Sequence, residues 1–537
     1  MQSCSRTEAT RLLCAGVYLD SDFRHKVIEE LVEHEERPIA PSLGIDAGAV
    51  LSHALRARTQ ELHVACVMLA AWAAFFAFEV DTGGLHIDFA DGRWLDMPVL
   101  WAPAYAVVCC LLWAGRVSTG RSIAVYTLDR ATLKRATHGI RRLTLLLPLF
   151  PRTLMLAYWA TVLFILFTKG HNLYAVYFPL LMTSVVWLHR SRVAWIMSHQ
   201  LDRDVFPRLP PPPLPDTRTY RRIGRAIARE QYAGLALYDP SRPFVGAGKP
   251  YEPWSFAIEL KPKRGAEVSD RPLGTRTIVD LIRPRLEALR ESMAVTSRDR
   301  LGDLEIDEIV YLPAGAVPRT SVSYDTATVA WHIRNAVDEG GEARRHFLRI
   351  RISAWQEHIV VTLLVRVHTQ GGMLVLEVAP HVLTPVRPEF TAVDVIAARA
   401  RLVLRDGLQA LLTSPTATFA SGVSAIGTAA AVCRTWLADP QRALPDGPVT
   451  SVRELGSVEE ISLFQEMDVS RYVKTLQDRI ASGVLDALRT EGYETGEFEQ
   501  QIVNVSGGVF IGAMSGGAVA VGGGATAEDR GGRGGRT

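Results

Sequence analysis

Apolar positions along this chain fall into two regimes. Between His63 and Arg190 they run together in long blocks; elsewhere they recur at helical or strand spacing. The blocks are His63–Val80, Met97–Gly115, Leu143–Phe167 and Leu173–Leu188, and the second and fourth carry no charge. A bilayer core of about 30 Å asks for about 20 apolar residues in a helix. The pattern therefore predicts a four-helix transmembrane bundle over 62–190. The connection 81–96 is acidic, whereas 116–142 is basic and Arg190, Arg192, Arg203 and Arg208 follow the last block. The positive-inside rule then puts both termini in the cytoplasm, in a multi-pass protein of the cell membrane.

Outside the blocks the pattern predicts separate segments. Residues 1–61 read as a cytosolic helical segment: Leu12, Leu13 and Val17 share one face, and Phe23, Val27, Ile28, Leu31 and Val32 follow Ser21, a candidate N-cap. Residues 191–216 form a basic, Pro-rich linker whose LPPPPLP run (209–215) reads as an extended spacer. Residues 217–412 read as a cytosolic α+β domain. Helices are expected over 220–232, 277–293 and 393–412, and strands over 254–260, 346–352, 358–367 and 373–378. Turns as short as Gly371–Gly372 join only antiparallel neighbours, so the sheet is expected to be mostly antiparallel. Residues 413–500 read as helical, with a stripe of Val469, Tyr472, Val473, Leu476, Ile480, Val484 and Leu488 over 468–489, capped by Asp468 or Ser470. Residues 501–537 read as a Gly-rich β tail (short strands 502–505, 509–511 and 518–521) and a disordered end. The uncharged run 407–433 fits a surface-lying or re-entrant helix as well as a further span.

Composition adds limits. The net charge of +2 gives no case for nucleic acid, and 52 of the 59 basic residues are arginine. Cys4, Cys14, Cys66, Cys109, Cys110 and Cys433 have neither disulfide-framework nor zinc spacing. Gly246-Ala-Gly-Lys249 resembles a phosphate loop, but Pro243 and Pro250 stand where Gly and Ser or Thr are needed. Gly422–Gly427 is not a nucleophile elbow, and His34-Glu35-Glu36 lacks a second histidine. His332, His346, His358, His368 and His381 are scattered, and Arg349, Arg351 and Arg366 suit a solvated basic strand face or one for phosphate or lipid head groups. Arg152 faces a cavity or snorkels to the interface beside Pro148 and Pro151; Glu79 and His63 end their block. No catalytic residue, cofactor or metal site is expected.

Three phrases, Ala40-Pro-Ser-Leu-Gly-Ile-Asp46, Tyr251-Glu-Pro-Trp-Ser-Phe-Ala257 and Pro385-Val-Arg-Pro-Glu-Phe390, with the Gly-rich tail 503–525, resemble multi-pass membrane proteins of actinobacteria (Streptomyces-like) that carry no assigned activity. The resemblance implies membrane location and brings no reaction with it. The expectation is a membrane-anchored cytosolic interaction or signalling protein; the alternative is an oligomeric transporter or channel subunit. Expected partners are the lipid bilayer, an unidentified protein, and a second copy through the tail or helix 468–489.

Overall fold

The computed structural model describes residues 7–81, 101–118, 149–169, 173–263, 273–291, 304–315, 319–339, 341, 343–354, 358–399 and 447–506. They form two compact units, and neither is continuous in sequence. The first takes Met1–Tyr232, Gln356–His358 and Pro385–Glu459; the second takes Ala233–Trp355, Ile359–Thr384 and Glu460–Thr537.

The first unit is helical. In α1 (Glu8–Leu19) the Thr7 hydroxyl accepts from the Thr10 amide at 3.2 Å and donates to Gly44 O at 2.6 Å. The cap of α2 (Ser21–Ile28) is Asp20, not Ser21: its carboxylate accepts from the Asp22 and Phe23 amides at 2.9 and 3.3 Å. A charged, acceptor-only group suits the positive end of a helix, which favours the carboxylate over the hydroxyl beside it. Next come α3 (Ala47–Asp81), α4 (Trp101–Ser118), α5 (Leu149–Lys169), α6 (Leu173–His199) and α7 (Arg218–Glu230).

Helices α3 and α6 each serve two cores. The start of α3 and the end of α6 join α1, α2, α7 and the short helix Ala392–Arg399 around Leu13, Phe23, Leu51, Ile196, Ile227 and Phe390. Their other halves meet α4 and α5 around Met68, Tyr105, Tyr158 and a stacked Phe75–Phe178 pair at 4.9 Å. There Glu79 is buried and accepts from the Trp101 and Ala102 amides, so a carboxylate on α3 caps α4. The run 209–215 does not stand free: Leu214 packs on the first core against Gly224 of α7.

The expected four-helix transmembrane bundle over 62–190 is overturned. Among the described residues one helix, Ala47–Glu79, is long and apolar enough to cross a membrane, while Trp101–Ala114 and Thr153–Phe164 are shorter apolar helices. Freedom from charge is a weaker property than apolarity. The helix α6 is diluted by Tyr174, Tyr177, Pro179, Thr183 and Ser184 and runs on through His189, Arg190 and Arg192. The side chain of Arg152 lies outside the described residues.

The second unit is an α+β fold: a mixed sheet with helices. Its elements are β1 (Leu235–Tyr238), β2 (Lys249–Pro250), β3 (Trp254–Glu259), α8 (Thr275–Glu291), β4 (Glu305–Pro313), α9 (Thr326–Ala336), β5 (Arg345–Ala354), β6 (Ile359–Gln370), β7 (Met373–Leu383), α10 (Leu463–Thr490) and α11 (Gly496–Ser506). The strand order is β1-β4-β5-β6-β7-β2, with β3 also on β7; β1 joins β4 in parallel and the remaining pairs are antiparallel. Gly371 and Gly372 turn β6 into β7 with φ of 59° and 78°, the left-handed region a two-residue hairpin requires.

Alternation sorts the sheet into two faces. Leu348, Ile350, Ile352, Val361, Leu363, Val365, Leu374 and Leu376 face α8 and α10, whose stripe from Val469 to Leu488 is spent within this core. The cap of α10 is Ser462, in a reciprocal capping box with Gln465, so the helix starts earlier than Asp468. The expected strand 502–505 is helical instead, as part of α11. Its residues Ile502, Val503, Asn504 and Val505 include no glycine, and the glycine pairs begin only after Ser506, at Gly507. The segments 509–511, 518–521 and 407–433 lie outside the described residues.

Gly483 lets α10 close on α8, since a Cβ there would sit 2.8 Å from Ile282 Cα. Gly483→Ala should cost about 1–3 kcal/mol by overpacking, read as a lower unfolding midpoint of the full chain in detergent. An unchanged midpoint would show that the two helices are not held this close.

Candidate functional site

The sheet face turned away from α8 and α10 carries most of the polar chemistry in the second unit. Cross-strand register sets its rows: Glu305, Arg351, Thr362, His381 and Pro250 form one across β4, β5, β6, β7 and β2. The next row holds Asp307, Arg349, Leu364 and Ala379.

Arg349, Arg351 and Arg366 do share this face, and each meets a carboxylate on a neighbouring strand. Arg351 donates to Glu305, its Nε at 2.9 Å, while Arg349 reaches Asp307 at 3.3 Å and Arg366 reaches Glu377 at 3.4 Å. The guanidiniums are the more buried partners and the carboxylates stand at the rim. Charges paired in this way leave little net field for an anion, so the row reads as cross-strand ion pairing.

A strap crosses the same face. The end of β1 and the start of β2 lie at opposite edges of the sheet, yet only 239–248 connects them. Five strand steps of about 4.8 Å make that crossing roughly 24 Å on a flat sheet. Midway, Phe244 meets Tyr311, Phe347 and His381 edge-on, at centroid distances of 5.5, 5.4 and 5.0 Å. Gly246 and Gly248, the glycines of the phosphate-loop look-alike, end the strap with φ of 95° and 96°. A Cβ at Gly248 would overlap Val382 O, so here the backbone itself lies on β7. Beside Phe244's partners, Thr362 is fully buried and its hydroxyl has no hydrogen-bond partner among the described residues. The His381 Nδ1–H donates to Ala379 O at 3.0 Å.

On the helix-covered side Glu308 gathers three donor side chains: His346 Nε2 at 2.8 Å, Arg283 at 2.8 Å and Arg276 at 3.0 Å. Burial alone would raise its carboxyl pKa, but the His346 hydrogen bond and the nearby Arg276 charge outweigh that and bring it down to about 2. The cluster ties α8 to β4 and β5, and its acceptor oxygens are filled by the protein's own donors. It is a clamp in an arrangement that offers no open position to a substrate.

The five histidines do not converge. His346 serves Glu308, and His381 lies under the strap. His368 ends β6, its pKa lowered by burial and then by Arg366. His332, on α9, is lowered by burial and Arg344. His358 belongs to the first unit, where burial and then Arg453 lower it. No metal-holding group of His, Cys, Asp or Glu occurs among the described residues. His34 pairs with Glu36 at 3.0 Å and Glu35 with Arg222 at 2.7 Å. His63 is exposed, and 422–427 lies outside the described residues. Sequence reasoning missed Glu308, Phe244 and Thr362. A glutamate set among the apolar positions of the strand-like run Glu305–Pro313 is a signal for the first, and a Pro-Phe followed closely by two glycines between strands for the second.

Glu308 also makes a pH prediction. Its folded pKa of about 2 lies below the ordinary value of 4.5, so its contribution is complete above about pH 4.5 and is lost as pH falls toward 2. Glu308→Gln should lower stability by about 2–4 kcal/mol near neutrality and flatten that acid limb in thermal unfolding. Equal acid limbs in both proteins would show that the carboxylate is not held by these cations.

Comparison with known proteins bears on this unit most. No curated protein and no solved structure matches the chain. Residues 253–519, just under half of the sequence, match the family model of the AbeC-like domain, which takes in β3 to α11, including β4 to β7 of the polar face but neither β2 nor the strap.

Proposed function

We propose that this protein is a membrane-anchored interaction protein, held by α3 and presenting its second unit to a protein partner. The observation that carries the reading is the environment of α3. Only 22% of its most apolar window is buried by the rest of the chain, whereas the core helix of a water-soluble protein would be mostly covered. Leu69, Phe76 and Phe78 on α3, with Phe164, Leu173 and Leu188 on its neighbours, are 41–69% exposed. That much outward apolar surface is costly in water and free of cost in hydrocarbon. Arg56 and Arg58 precede the apolar stretch, which favours a cytoplasmic N-terminal side.

An interaction role draws support from the start of α10. Leu463, Phe464 and Met467 are 70, 73 and 60% exposed within its first turns, although the same helix buries its other face. Three large apolar side chains held together in water suit a contact with another protein.

Two measurements test the two halves. Membranes from cells making the full chain should retain it through high salt and alkaline carbonate and release it only to detergent; release by carbonate would remove the anchor. A photo-crosslinking residue placed at Phe464 should give a discrete protein adduct in cells, and a control at the exposed Arg479, further along the same helix, should not. Identical patterns at both positions would remove the interaction half and leave the anchor standing.

A further inference from the structure

The strap 239–248 crosses one face of the sheet, and three of its features fit poorly with a permanent cover. Its central ring, Phe244, packs edge-on against Tyr311, Phe347 and His381 yet stays only partly buried. Its far end turns on Gly246 and Gly248, both in the left-handed region, and its near end is a tight turn with Arg242 N bonded to Asp239 O at 2.9 Å. On the same face, in register with His381, the fully buried Thr362 hydroxyl lacks a partner among the described residues. A buried hydroxyl left unpaired is destabilising, so an oxygen that reaches it gains more than it would from a solvated group.

We propose that this face is a binding site for a small aromatic molecule bearing a hydroxyl or carbonyl oxygen, and that Phe244 holds the ring's place until the strap swings out. The ligand ring takes the edge-on position against Tyr311, Phe347 and His381. Its oxygen pairs with Thr362. Arg351 and His381 flank Thr362 in register, but each already has its own partner, Glu305 for Arg351 and Ala379 O for the His381 Nδ1–H. Thr362 is therefore the group that discriminates, and ring shape supplies the remaining affinity. No bond is made or broken, and the proposal does not depend on how the chain is anchored.

The test uses the full chain in detergent with phenol and benzene as probes, followed by titration calorimetry. Phe244→Ala removes the occupant and should bind phenol about tenfold more tightly than benzene, the worth of one hydrogen bond to an otherwise unpaired group. Adding Thr362→Val should erase that preference and leave benzene binding where it was. In the unsubstituted protein, phenol should speed chymotrypsin cleavage after Phe244, a readout that requires no variant to fold. Equal binding of phenol and benzene to Phe244→Ala, a preference that survives Thr362→Val, or cleavage unmoved by phenol would each overturn the site. The Thr362 hydroxyl would then be met by an internal water, with the strap a fixed wall.

Discussion

A guanidinium taken out of water has to be met donor by donor, and the first unit is assembled around that demand. Arg11 is 1% exposed and gives its donors to Glu8, Asp394 and the Leu201 carbonyl, groups on three separate segments. Arg24 gives donors to Val17 O and Glu61, and Arg453 gives its two terminal nitrogens to His358 O at 2.8 Å and the Ser457 hydroxyl at 2.6 Å. A buried ion pair is weak evidence for net stability, but breaking one leaves a charge stranded in a poor solvent. Arg11 joins α1 to Leu201 and Asp394, so its donors tie segments that are far apart in sequence. Apolar packing around Leu13, Phe23 and Phe390 could tolerate a slipped helix more easily than Arg11 could.

The second unit divides its polar chemistry between the two faces of one sheet. On the helix side a carboxylate is the centre and cations surround it, which fastens α8 to the strands. On the strap side the arginines are the buried members and their carboxylates stand at the edge. The strap-side pairs are one to one, whereas the single Glu308 carboxylate is met by two arginines as well as His346.

Local pattern carried much of this fold. Alternation in 346–352, with the glycine pair between β6 and β7, places the meander, because a strand with one buried face writes its register into the sequence. Helix α10 was legible from its stripe, though its start was not, since the capping box at Ser462 lies ahead of the apolar repeat. The four-block reading fails on length for Trp101–Ala114 and Thr153–Phe164, which are apolar but short, and on dilution for α6, where tyrosines, Pro179 and small hydroxyls interrupt a run with no charge in it. The candidate site was the least legible part. Thr362 becomes notable only once β5 and β7 flank it, and Phe244 only once the strand order sends its segment across the sheet. Both facts are non-local, and no window of sequence contains them.

The first unit's core has one more property, which concerns time. Leu13 and Phe23, near the start of the chain, share a core with Phe390 and Val452. Ribosomes add about 5–20 residues per second, so the first helices wait roughly 20 seconds to a minute and a half for the residues that cover them. During that interval α1 and α2 expose the surface later hidden by 385–399 and 452–455, while the apolar stretch of α3 has already left the ribosome. The nascent chain therefore carries an apolar surface on its early helices that only residues made much later can cover. A cell making this protein has to keep that surface from other contacts until 385–399 and 452–455 are made.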